Sequence, residues 1–251
     1  MKYIKDNWKF LLIVLIICLI GGYFTLMYEF QSFDQKMLDE VIKQVGSKNM
    51  FIVLSMISIL FYTVIFSIFG IILSNKVGLW KKIKKDNEGI RLVCIISIIG
   101  GLLISVFDRY LFGLFIEPIK HLYDVKPTIE YIIASFTYGA VFEEILMRLF
   151  FMSLFVFIIS KIFNRKNKKI PVKVFVIANI LIALLFALGH IPSTIQLFGY
   201  IDGLLLFRCI LLNAGLGLLL GFLYRKYGIC YSMFAHFGIH FISKLLWILF
   251  I

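Results

Sequence analysis

Glu143, Glu144 and Arg148 stand together inside an otherwise apolar run from Tyr131 to Ser160. A charged side chain at mid-bilayer costs at least ~2.5–3.5 kcal/mol on insertion scales, so residues of this kind normally mark function. Two histidine-bearing islands answer them, Phe186-Ala187-Leu188-Gly189-His190 and His236-Phe237-Gly238-Ile239-His240. On an α-helix Glu144 and Arg148 share a face and can pair, whereas Glu143 sits ~100° around the axis. That spacing suggests a division of labour. Glu144 and Arg148 form a supporting ion pair, and Glu143 faces a cavity as a general base working on water. The competing reading makes all three residues one packing network. His236 and His240 also share a face. Their spacing serves either a metal pair or two hydrogen-bond donors aimed at one group. His190 closes an apolar segment, and the following Ile191-Pro192 is expected to stop that helix. Alone, His190 would read as a hydrogen-bonded interfacial residue. Three of the four histidines fall in these two islands, with only His121 in a loop. Their placement beside a diacidic pair favours a catalytic set.

The elements that must position these residues are membrane helices. Of the 251 residues 61% are hydrophobic and 16% charged, and mean hydropathy is +0.98. A soluble domain would carry roughly 25% charged residues. Seven segments are long enough to cross ~30 Å of hydrocarbon: about 10–28, 51–74, 91–116, 129–160, 172–190, 203–224 and 229–250. Lipid forces backbone groups to pair within each segment, so the expected fold is an all-α polytopic helical bundle. Residues 1–127 supply three N-terminal helices and residues 128–251 the four that carry the islands, within one integral membrane domain. The net charge of +12 does not point to nucleic acid, because it gathers in short loops. With the N-terminus inside, 17 Lys and Arg lie in inner segments against 6 in outer ones. That bias places the N-terminus in the cytoplasm and the C-terminus outside. The acidic stretch around Glu29, Asp34, Asp39 and Glu40 suits an amphipathic segment on the outer face. Phe10 to Met27 reads as a retained first helix rather than a cleaved signal. Cys18, Cys94, Cys209 and Cys230 show no ligand or disulfide spacing and read as packing thiols. Gly217 and Gly221, four apart, give one helix a small-residue face for close packing.

The order Glu143-Glu144-x-x-x-Arg148, Phe186-x-x-x-His190, His236-x-x-x-His240 resembles the three-motif signature of the CAAX-protease and bacteriocin-processing family of intramembrane proteases (CPBP, also called Abi). A glycine-rich helix, the turn Tyr224-Arg225-Lys226-Tyr227-Gly228 and a histidine eight residues on extend the likeness. It spans roughly residues 128–244. The resemblance implies that Glu143 and His190 activate the attacking water, and that His236 and the residue four positions later stabilise the oxyanion. The family usually has Asn at that last position, sometimes Asp; this chain has His240. An imidazole N–H can replace an amide donor, so the oxyanion role survives the change. The substitution also makes a zinc site of His190, His236, His240 and Glu143 a real alternative. The favoured expectation is activated water with no required cofactor.

The expected function is therefore endopeptidase action on a membrane-associated peptide or protein, in a bacterial cell membrane. Leader-peptide or bacteriocin processing, or self-immunity, is the expected setting, with lipid and peptide as partners. Rivals are a non-catalytic immunity or binding protein of the same fold, and a transporter with a Glu/His proton relay. One difficulty stands in the counting. His190 lies ~27 Å into its segment and His236 ~10 Å into one that starts on the same side, so their depths should differ.

Overall fold

A computed structural model describes residues 2–32, 35–163 and 169–251. Arg165, Lys166 and Lys168 of the charge count, and Asp34 of the acidic stretch, lie outside the described residues. Among the described residues there is no β-strand. Seven helices among the described residues are long and apolar enough to span a membrane, which makes this an integral membrane protein. In chain order the main helices are α1 (Trp8–Gln31), α2 (Gln35–Val45), α3 (Lys48–Lys76), α4 (Asn87–Leu114), α5 (Glu117–Leu122), α6 (Ile129–Phe163), α7 (Val172–Phe198), α8 (Gly203–Tyr227) and α9 (Ile229–Phe250). Helix α2 occupies the stretch read as amphipathic, and α5 is a short turn between spans. Side-chain caps account for several starts. Ser47 accepts from the Met50 N–H, Asp86 from Gly89, Thr128 from Tyr131 and Asp202 from Leu205, each satisfying an orphan amide of a first turn.

Helix α6 is the hub of the bundle. Its first half packs on α1 and α9, its second half on α3 and α7. The largest buried cluster gathers there, with Ile145, Leu149, Met152 and Val156 from α6 against Cys18, Ile71, Ala178 and Ile182. Helix α6 is not α-helical throughout. Ser135–Phe142 and Ile145–Met152 are wound as π-helix, with Glu143 and Glu144 at the joint. Over the first stretch hydroxyls compete for helix carbonyls: Ser135 Oγ donates to Tyr131 O at 2.7 Å and Thr137 Oγ1 to Ile133 O at 2.6 Å. Such back-bonding loosens the i→i−4 ladder. π-turns of this kind are often found at functional sites.

Helix α7 departs from expectation at its end. The helix does break at His190, but Ile191–Phe198 resumes at once. Pro192 falls in the new first turn, where its missing N–H costs nothing. The small face of α8 lies against α7, with a side chain at Gly217 destined to meet Ala183 and one at Gly221 to meet Asn179. Gly228 turns α8 into α9 at φ 100°, a conformation that glycine takes without strain. Of the cysteines, Cys18 and Cys209 are buried as expected, Cys230 is partly buried and Cys94 is exposed.

Candidate active site

Glu144 is the centre of the polar network. It is fully buried, as is Arg148, and the guanidinium Nη1 lies 3.5 Å from its Oε1. In a π-helix residues four and five apart fall near one face, so the pair expected for an α-helix survives the change of winding. Arg148 also donates through Nη2 to Gly217 O at 3.2 Å and lies 4.7 Å from the centre of the Phe186 ring. The glycine at 217 is what allows this: a Cβ there would sit 3.4 Å from the guanidinium and 3.3 Å from Ala183. Two groups from α9 complete the shell. Ser232 donates to Glu144 Oε2, and His236 Nδ1 lies 3.0 Å from Glu144 Oε1.

This arrangement decides the histidine tautomers. A carboxylate only accepts, so Nδ1 of His236 carries hydrogen, and in the neutral ring Nε2 is left bare. That Nε2 lies 3.9 Å from Glu143 Oε2. The Glu143 side chain is 27% exposed against 0% for Glu144, so the two carboxylates face different surroundings, one enclosed and one open. His190 repeats the pattern. Its Nδ1 lies 2.8 Å from Phe186 O, a carbonyl, and Nε2 is again bare. His240 stacks on His236 with ring centres 5.0 Å apart and planes 23° apart, and its buried Nδ1 has no hydrogen-bond partner among the described residues.

Phe186 bridges the difference in depth. Its ring centre is 4.5 Å from that of His190 and 6.2 Å from that of His236, so both histidines flank one ring. Arg225 of α8 lies 5.6 Å from the centre of the Phe175 ring of α7. The sequence reading paired Glu143 with His190; the histidine beside Glu143 in the structure is His236. Ser232 was missed altogether, although it stands four residues before His236 on the same face.

Zinc would need at least three donors at one point. Among the described residues no three His, Cys, Asp or Glu side chains are grouped closely enough to hold a metal ion. No step is derived through a metal.

Two further polar features lie apart from the site. Asp108 is fully buried in α4. It accepts both Nε and Nη2 of Arg208 from α8, and the Tyr123 hydroxyl at 2.9 Å. Tyr123 bonds Ile104 O as well, and burial, then Asp108, holds its hydroxyl far above the usual tyrosine range. The signal was available, since every charge inside a span needs a partner. An apolar groove of about 690 Å³ between α4 and α9, lined by Val93, Ile98, Phe234 and Phe241, is on the face of α9 opposite His236 and His240.

A seven-span helical membrane protein with a carboxylate–histidine cluster at its centre is the class that fold and site define. Residues 126–242 match the family described as type II CAAX prenyl endopeptidase, Rce1-like. That C-terminal stretch, somewhat under half of the chain, is similar to the CAAX-protease family, and all four of Glu143, His190, His236 and His240 fall inside the matched residues. Comparison with curated proteins and with solved structures gave no match.

Proposed function

We propose that this protein is an active intramembrane endopeptidase in which Glu143 and His236 hold the attacking water between them. The observation that carries the reading is the 3.9 Å gap between Glu143 Oε2 and His236 Nε2, with His236 clamped from behind by Glu144. Two acceptors facing one water take both of its hydrogens and leave an oxygen lone pair for the scissile carbonyl. Glu143 takes one proton as the C–O bond forms, then returns it to the leaving nitrogen as the C–N bond breaks. The enclosed Glu144 keeps His236 in the tautomer that accepts, as a buried carboxylate does for the histidine of a serine-protease triad. His240, with its unpartnered Nδ1, is assigned to the oxyanion. His190, the other bare acceptor, is assigned to the proton released when the product acid ionises. His236 thereby moves from the oxyanion to the water. Processing of a leader or bacteriocin-like peptide in a bacterial membrane is the setting this reading favours, with the N-terminus cytoplasmic by the loop charges.

The test is cleavage of a farnesylated peptide ending in Cys-Val-Ile-Met by the purified protein in lipid, followed by mass spectrometry. Product should appear with the wild type and vanish with Glu143→Gln, which keeps shape but removes the base, while the variant remains as stable as the wild type. Proton flux without peptide product would instead support the transporter reading, and turnover surviving Glu143→Gln would sink the assignment.

A further inference from the structure

Positive charge gathers at one end of the bundle, where the loop after α3 crosses the turn from α8 into α9. That loop contains Lys81-Lys82-Ile83-Lys84-Lys85, and α8 ends in Arg225-Lys226-Tyr227. Lys81, Arg225 and Lys226 line a cavity of about 330 Å³, with Phe175 of α7 and Phe222 of α8 among its other walls. Each cation has a fixed place. Lys81 Nζ donates to Lys226 O at 2.6 Å, and Lys226 Nζ donates to Glu88 Oε1 at 2.8 Å. The Arg225 guanidinium lies over the Phe175 ring, a contact that steadies a cation without neutralising it. Glu88 is the one carboxylate paired with any of the three among the described residues. Lys81 and Arg225 therefore share the cavity without a counter-charge. Burial, then the charge of Arg225, holds the Lys81 ammonium below the usual lysine range.

An anion seated between the two cations removes their repulsion. The Lys81 ammonium keeps N–H donors beyond the one given to Lys226 O, and the Arg225 fork has no hydrogen-bond acceptor among the described residues. A guanidinium converging with an ammonium suits the oxygens of a phosphate. The other walls say which phosphate. Phe175 and Phe222 make the cavity partly apolar. From Phe222 the exposed positions Leu218, Gly215 and Leu211 continue along one face of α8 into the span. A Cβ at Gly215 would meet nothing within 4 Å, which leaves an open furrow between two leucines. A free phosphate has no use for such a surface, whereas an acyl chain does. This is also the end of the bundle that the loop charges place in the cytoplasm, and basic pockets between helices on that side are suited to anionic headgroups. We infer that the cavity binds the phosphate of an anionic phospholipid, with an acyl chain lying along Leu218, Gly215 and Leu211. The inference does not depend on the peptidase reading. It does bear on the same helix: a Cβ at Gly228 would lie 3.0 Å from that of Lys81, so a headgroup held by Lys81 braces the turn into α9.

The test is native mass spectrometry of the purified protein in detergent, titrated with phosphatidylglycerol or with phosphatidylcholine of the same acyl chains. The wild type should retain one phosphatidylglycerol at a Kd roughly tenfold or more below that for phosphatidylcholine. The double variant Lys81→Gln/Arg225→Gln should weaken phosphatidylglycerol by roughly 20–30-fold, about fivefold for each cation near a membrane surface. Lys84→Gln/Lys85→Gln removes the same charge from the neighbouring stretch of loop and should change that Kd by less than about threefold. Equal losses in the two double variants would mean a diffuse basic surface and overturn the cavity as the site. Equal retention of the two lipids by the wild type overturns the inference with no substitution needed. Inorganic phosphate at millimolar concentration separates the two sources of the anion. It should leave the melting temperature of the wild type unchanged, while phosphatidylglycerol raises it. A rise with phosphate and none with the lipid would overturn the phospholipid as occupant.

Discussion

Glu144→Gln removes one charge from a network whose shape it can otherwise keep. The amide oxygen can still accept from His236 Nδ1, and the amide nitrogen can donate to Ser232 Oγ, whose own hydrogen has Leu220 O at 2.9 Å as a second acceptor. What cannot be replaced is the counter-charge of Arg148, 1% exposed, whose Nη1 already lacks a hydrogen-bond partner. Removing one member of a buried ion pair costs ~3–5 kcal/mol, because the other charge stays behind. Arg148 retains the Gly217 carbonyl and the Phe186 face. The ring contact is worth ~0.5–2 kcal/mol, so the lower end, about 3 kcal/mol, is expected. Arg148→Met should cost a similar amount for the converse reason. The double variant, with no charge left to strand, should recover at least ~2 kcal/mol relative to the sum of the singles. The assay is a double-mutant cycle on the purified protein, unfolded in mixed micelles by a denaturing detergent. A single variant within ~0.5 kcal/mol of the wild type, or additive losses in the double, would refute the claim that an unsolvated ion pair organises this centre.

Two further outcomes follow from the site. His240→Asn should keep substantial turnover, since the amide supplies a donor where the imidazole did, whereas His240→Ala should lose about 10²–10³ in kcat; Asn failing as badly as Ala would remove His240 from the oxyanion. Protein stripped with chelator should keep its activity, and stoichiometric zinc by elemental analysis, with activity lost on chelation and restored by zinc, would replace Glu143–His236 activation with a metal centre.

The spans were legible because burial in lipid acts on composition, and hydropathy reports composition directly. The segment read as 203–224 became Gly203–Tyr227, and that read as 129–160 became Ile129–Phe163; a hydropathy reading stops at the first charge, whereas a helix continues until a glycine or cap ends it. The Glu144–Arg148 pair was legible because both partners lie on one helix, where spacing alone gives proximity. Contacts between helices were not. Whether His190 or His236 stands beside Glu143 depends on how α7 and α9 are offset along their axes, and nothing local to either helix specifies that offset. The π-winding of α6 escaped a reading that assumed 3.6 residues per turn, although Ser135 and Thr137 advertised hydroxyls ready to take carbonyls from the ladder. Asp108, Arg208 and Lys244 were visible as charges inside apolar runs, yet only the fold shows that the first two satisfy each other and the third is left over.

The clasp between Asp108 and Arg208 bears on where this protein could be cut. The family match starts at residue 126, which invites the notion of a self-sufficient catalytic module behind a dispensable leader of helices. Arg208 belongs to the matched segment and Asp108 to the stretch before it. Helix α4 further presents Gly100 and Gly101 to Ile239 and Ile242 of α9 at distances no larger residue would tolerate. Severing the chain at the border of the match would strand an arginine in hydrocarbon and lay bare the flank of the helix that carries His236, His240 and Lys244. Similarity and mechanics draw their borders in different places here, and a shortened version meant to keep the site intact would have to keep α4.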